Sequence, residues 1–261
     1  MSDGDGAVHI TIAGRVASVV FDRPEARNAM TTAMYDQLAS ACAAITAHSD
    51  VRVATFRGAG AAFAAGTDIR EFLAFTSAED GIGYERRIDA VVSAIESLPV
   101  PTIAVIDGVA MGGGLLIATV CDFRIATPSA RFGVPIARTL GNCLSLANTA
   151  RLVAALGPAR TKRLLLLAGE MSAEEALNCG YLVEVVGPEA IDDSVRALCA
   201  RLVSHSPISM RVAKESVRRV AETVLPSSDG EDLIRAAYGS EDFRAGVRAF
   251  LAKQRPEWSG R

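Results

Sequence analysis

Short β-branched runs at Val8–Ile12 and Val16–Phe21, separated by Ala13-Gly14, predict a β-hairpin. A polar loop with a proline break, Asp22 to Asn28, follows. Thr31 or Thr32 then caps a helix over Ala33–Ala47, whose Met34, Leu38, Ala41, Cys42 and Ile45 fall on one face. Val51–Phe56 reads as a third strand. A loop of small residues, Arg57 to Asp68, leads into a short helix over Ile69–Phe72. The next helix is predicted over Asp80–Glu96, with Ile88, Val91, Val92 and Ile95 as its apolar stripe. Pro101 to Ile106 is a buried strand closed by Asp107-Gly108.

Gly112, Gly113 and Gly114 then open an apolar helical segment, Leu115–Val120. Adjacent glycines at a helix start lose much backbone freedom on folding, so something must require their bareness. One reading is close packing of a helix on a sheet. The other is approach of an anion or developing oxyanion to the free N–H groups of a first helical turn. The glycines alone leave both open. Phe123–Ala126 is another strand and Arg131–Pro135 an extended turn. From Leu144 on, helical periodicity dominates: Leu144–Leu156, Pro158–Leu167, and Ala173–Cys179 behind a Ser172 cap with Glu175 three residues on. After a last strand at Tyr181–Val186, helices are predicted at Glu189–Val203, Pro207–Val220, Asp229–Tyr238 and Glu241–Ala252. The pattern is an α/β core followed by a helical C-terminal module.

A chain of 261 residues, 50% hydrophobic, can bury one large core. Its net charge of -3 gives no electrostatic case for nucleic acid or an anionic membrane. The acidic start, Met1 to Gly6, is no signal peptide, and the uncharged run Gly108–Cys121 is too short to span a bilayer. Five scattered cysteines read as reduced thiols and point to a cytoplasmic protein. His9, His48 and His205 have no metal-ligand spacing, so no metal site is expected.

Four stretches in register resemble the crotonase (enoyl-CoA hydratase/isomerase) superfamily. They are Asp22-Arg-Pro-Glu-Ala-Arg-Asn-Ala-Met30, Phe63-Ala-Ala-Gly-Thr-Asp-Ile69, Asp107-Gly-Val-Ala-Met-Gly-Gly-Gly114 with Cys121-Asp122, and the tail Phe243–Trp258. The resemblance implies an α/β fold: a crotonase-like spiral of ββα units over residues 1–200 and a helical C-terminal trimerisation module over 201–261. It implies a homotrimer or a hexamer of two trimers, an acyl-CoA substrate, no cofactor beyond that coenzyme A thioester, and a place in fatty acid metabolism. Carried over residue by residue, the oxyanion hole is the backbone N–H of Thr67 and of Gly113. Such donors are worth about 3–4 kcal/mol each. Ala26, Arg27 and Ala29, with Ala65, Gly66, Asp68 and Ile69, would hold the adenine and pantetheine of CoA, beside Gly112. Phe250 and Lys253 match the place where a neighbouring subunit closes over CoA. Arg27 and Lys253 also read as ordinary surface charge, and Asp68 as a helix cap. Asp122 reads as a turn or salt-bridge residue.

The chain departs from the family where proton transfer is done. The hydratases' two glutamates, which activate one water by general acid–base chemistry, fall here at Leu116 and Ile136. A third position, an aspartate in some relatives, falls near the apolar Leu144. Glu71, Glu174 and Glu175 sit on helices and do not substitute. The loop from Arg138 to Ser145 also differs from the usual version. Arg138 reads either as a partner for a substrate carboxylate or as a surface salt bridge, and Asn142 as a substrate contact or a turn residue. Cys143 reads as a nucleophile only if a base activates it, and otherwise as a pocket wall. The default expectation is an enoyl-CoA hydratase-type lyase without its usual carboxylates. The alternatives are a decarboxylase or other enolate-stabilising enzyme, and a catalytically silent acyl-CoA binder.

Overall fold

Strands covered on both faces carry apolar residues at successive positions, and the middle of this chain is built of them. The computed structural model describes residues 6–222 and 230–260. The acidic start, Met1–Asp5, and the expected helix start at Asp229 lie outside the described residues. A six-stranded sheet has the order β1 (Ala7–Ala13), β2 (Val16–Asp22), β3 (Val53–Gly58), β5 (Thr102–Ile106), β7 (Phe123–Ala126), β10 (Glu184–Val185). β1 and β2 form the antiparallel hairpin, in register from Ala7↔Asp22 to Ala13↔Val16, and every later pair is parallel. A four-stranded sheet holds β4 (Ala62–Ala64), β6 (Val109–Met111), β8 (Arg131–Gly133) and β9 (Glu170–Ser172), with only β8/β9 antiparallel.

The chain therefore winds as a spiral. Each turn lays one strand in the large sheet, bends, lays a short strand in the small one, and returns through helix: β3–β4, β5–β6, β7–β8. The returns are α2 (Ala78–Glu96) and α3 (Gly113–Val120), after α1 (Thr32–Ala47) has covered the hairpin. Ala54, Phe56, Ala104 and Ile106 face the main core with α1, α2 and α3. Their neighbours Val53, Ile103, Val105 and Ile125 face a second core under α7 (Ile191–Val203), where Leu198 and Leu202 meet them.

The short strands β4, β6 and β9 were not among the expected elements, because three residues carry no readable alternation. Tyr181–Val186 forms a ladder only over Glu184–Val185. Tyr181 is instead a core plug, its ring 5.4 Å from that of Phe132 and its hydroxyl 3.0 Å from Thr119 Oγ1. The expected helix pair between Leu144 and Leu167 is α5 (Leu146–Leu166), broken at Gly157, whose φ of 76° precedes Pro158. Short α4 (Ile136–Thr139) precedes it and α6 (Ala173–Asn178) follows. At the C-terminus come α8 (Pro207–Glu222), α9 (Glu231–Tyr238) and α10 (Glu241–Leu251). α9 lies along α2, and α10 reaches the 3-10 helix Ile69–Ala74. An aromatic cluster of Phe72, Phe75, Tyr84, Tyr238 and Phe243, with centroids 4.8–6.4 Å apart, joins them.

Asp122, at the end of α3, is a structural residue. It accepts from Thr102 N (2.8 Å) and Oγ1 (2.9 Å) and pairs with Lys214 at 2.7 Å, fixing α8 to the sheet. Among the described residues no helix is long and apolar enough to cross a membrane.

Candidate active site

Where the spiral's bends meet α2 and α10, a cleft of about 560 Å³ opens. Its floor is two backbone loops. Gly66 has φ 104° and Gly112 φ 49°, conformations that suit glycine. They bring the loops into contact: a Cβ on Gly112 would stand 3.8 Å from Gly66 Cα, and one on Gly113 3.7 Å from Thr67 Oγ1. Met30 bridges the first loop as a parallel strand would, accepting from Asp68 N (2.9 Å) and donating to Gly66 O (2.8 Å). That pattern leaves the N–H of Thr67, between them, aimed the other way. Gly113 opens α3, so its N–H has no partner within the helix. Among the described residues neither amide donates to another protein group. Two free amides on touching loops, one at a helix N-terminus, form a seat for an anionic oxygen.

A chain of hydroxyls braces the seat. Tyr35 Oη, buried on α1, lies 2.9 Å from Thr67 Oγ1, which lies 2.6 Å from Tyr84 Oη on α2. Tyr35 Oη also stands where a Gly113 Cβ would be. Burial raises the pKa of both tyrosines, so they act as neutral donors and acceptors.

Ala26, Ala29, Ala65, Gly66, Asp68, Ile69 and Gly112 all line the cleft with Thr67 and Gly113. Arg27 does not line it; the residue is exposed with φ 51° at the end of a short 3-10 turn. Asp68 caps the 3-10 helix through Arg70 N (3.0 Å) and pairs with the buried Arg23 (2.8 Å) and with Arg70. Burial alone would raise its carboxyl, but the donors on Arg70 and Arg23 outweigh it and hold the pKa at about 2. Leu116 is buried on α3 and off the lining, while Ile136 and Leu144 are on the wall.

Four further candidates fall as follows. Phe250 lines the cleft of its own chain, because Phe243, two turns earlier on the same side of α10, is locked into the aromatic cluster with Phe72. Lys253 follows α10 at φ 54°, exposed and off the lining. Arg138 is exposed on α4 and outside the lining. Cys143 also stays off the lining, and burial and the nearby Glu85 push its thiol up to about 12.

Arg23, Arg70, Tyr84 and Glu85 complete the wall with Asn142. Arg23 and Arg70 lie near the loop 26–29, and Tyr84 and Glu85 come from α2. Glu85 is 2% exposed. Its Oε1 accepts from Tyr238 Oη (2.7 Å) and its Oε2 from Ser145 N (2.8 Å). Asn142, on the wall, donates to Tyr238 Oη at 3.1 Å.

A ββα spiral with two unsatisfied amides over an apolar cleft defines a class of protein built to hold a polarised carbonyl oxygen. Comparison with known proteins gives the family: residues 11–261 match the enoyl-CoA hydratase/isomerase model, and the chain belongs to that family of the crotonase superfamily. It is 32% identical to a probable enoyl-CoA hydratase of Mycobacterium tuberculosis over 95% of each chain. Among solved structures, it matches an enoyl-CoA hydratase/carnithine racemase from Magnetospirillum magneticum with TM-score 0.80 and 32% identity, over 97% of this chain and 96% of that one. It matches a methylmalonyl-CoA decarboxylase complexed with 2S-carboxypropyl CoA with TM-score 0.88 and 27% identity, over 100% of both.

Proposed function

We propose that this cleft binds an acyl-CoA thioester and stabilises the enolate formed from it. The observation that carries the reading is the pair of free amides, Thr67 and Gly113, on loops that touch at the cleft floor. The thioester carbonyl accepts both N–H groups, and the enolate oxygen, carrying more charge, is held more tightly than the ground-state carbonyl. CoA lies along Ala26, Ala29 and Ala65–Ile69. No cofactor beyond the thioester is needed for this chemistry.

The apolar Leu116 and Ile136 argue against hydration by the family's two-carboxylate route. Decarboxylation of a malonyl-type thioester is the favoured second reading, supported by the likeness to the methylmalonyl-CoA decarboxylase. Losing CO2 leaves an enolate with no proton to abstract first. We also assign a homotrimer or a dimer of trimers, supported by exposed Ile208, Val212 and Val217 on α8, and a cytoplasmic location, supported by five free cysteines.

Thermal unfolding with and without crotonyl-CoA and malonyl-CoA tests binding; a ligand at a hundred times its Kd adds about 2.7 kcal/mol. No shift with any acyl-CoA overturns the reading. Hydration of crotonyl-CoA at ordinary hydratase rates overturns the argument from Leu116 and Ile136, and CO2 release from malonyl-type thioesters supports the second reading.

A further inference from the structure

The cleft is lined by only a few ionisable side chains among the described residues: Arg23, Asp68, Arg70, Tyr84 and Glu85. Asp68 is tied to Arg23 and Arg70 and stays ionised far below neutrality, so it does not hold a proton. Tyr84 is a neutral phenol bonded to Thr67 Oγ1. Glu85 is the one lining carboxyl left, and it projects from the apolar face of α2, in step with Ile88 and Val92. Each of its oxygens has a single donor, Tyr238 Oη or Ser145 N, and so keeps a second lone pair free.

We propose that Glu85 is the proton-transfer residue of this cleft, exchanging the α-proton of the bound acyl group. The inference rests on the thioester reading above. A Glu85 oxygen forms an O–H bond with the α-proton, and the C–H electron pair becomes the C=C bond of the enolate. The carbonyl electron pair moves onto the thioester oxygen, held by the Thr67 and Gly113 amides. In reverse, the Glu85 O–H bond breaks, the α-carbon regains a proton, and the carbonyl re-forms. The reverse half is also what an enolate left by loss of CO2 requires.

The surroundings suit both protonation states. Burial, the largest influence, favours the neutral acid; Tyr238 Oη and Ser145 N favour the carboxylate; Asp89, one turn on, favours the acid again. The balance leaves the carboxyl at about 7. The other charged or titratable groups facing it are Tyr84 and Tyr35 toward the floor and Cys143 from the loop before α5. Arg151 on α5 offsets Asp89 rather than touching Glu85.

Incubating the full chain with propionyl-CoA in D2O and following the α-protons by NMR tests this. Wild-type protein washes in deuterium, with a rate that climbs as pH passes through about 7. Glu85→Gln lowers the rate at least ~100-fold, while the thermal shift given by propionyl-CoA persists. Tyr238→Phe, which removes one donor to the carboxylate, moves the midpoint of the pH profile upward and serves if Glu85→Gln does not fold. Binding without exchange in the wild type, undiminished exchange in Glu85→Gln, or an unmoved profile in Tyr238→Phe overturns the role of Glu85 alone. No thermal shift in the wild type overturns the thioester reading, and this inference with it.

Discussion

Gly113 and Gly114 are neighbours of identical composition with opposite liabilities. A Cβ on Gly114 would overlap the main-chain oxygen of Ala64, which belongs to β4 and has nowhere to go. A Cβ on Gly113 would overlap Tyr35 Oη, the end of a side chain whose partner is Thr67 Oγ1. Gly114→Ala is therefore expected to lower stability by about 1–3 kcal/mol in urea unfolding. Gly113→Ala should cost less stability but up to ~100-fold in thioester turnover, since it disturbs the amide and the Tyr35–Thr67 brace together. Adding Tyr35→Phe removes the clashing hydroxyl and should recover part of the unfolding free energy. A strictly additive double-mutant cycle would refute the contact. The run of glycines is visible in the sequence, but which glycine guards packing and which guards the amide depends on Ala64 and Tyr35. Neither is near them in the chain.

Elements with room for a period were legible: the hairpin, α1 behind the Thr31 cap, and α2. β4, β6 and β9 were not, since three residues cannot show alternation against a background of alanine and glycine. The stripe Ile88, Val91, Val92, Ile95, extended one turn upstream, reaches Glu85, so a carboxylate on an apolar face was a signal in plain view. The pairing of α10 with its own chain was invisible, because an amphipathic helix does not state whose groove it fills. Phe243 and Phe250 separate its two duties. Phe243 is 3% exposed inside the aromatic cluster, and Phe243→Ala should destabilise by about 3–5 kcal/mol in thermal or urea unfolding. Phe250 is 46% exposed at the cleft rim. Phe250→Ala should leave unfolding nearly unchanged and weaken acyl-CoA binding about tenfold in calorimetry. Equal binding by that variant would remove α10 from the cleft.

Across the whole molecule, Asp68 and Glu85 pull the pH dependence of stability in opposite directions. Asp68 has its pKa lowered from 3.8 to about 2, so its contribution is present above 3.8 and is lost as pH falls through about 2. With Arg70 largely in solvent, that contribution is about 1 kcal/mol. Glu85 has its pKa raised from 4.5 to about 7, so the folded chain holds a proton that the unfolded chain has released. Its contribution is fully present below 4.5 and is lost as pH rises through about 7, a fall of about 3 kcal/mol. Asp89, also raised by burial, acts in the same sense. The raised carboxyls thus favour the folded state on the acid side of neutrality, while proton abstraction by Glu85 needs the carboxylate that higher pH supplies. Unfolding free energies of the wild type should decline between pH 5 and about 8. In Glu85→Gln the decline should shrink to the part owed to Asp89, because glutamine has no proton to lose. The same decline in both proteins would mean that the Glu85 carboxyl titrates alike in the folded and unfolded chains, so that burial does not hold its proton up to neutral pH.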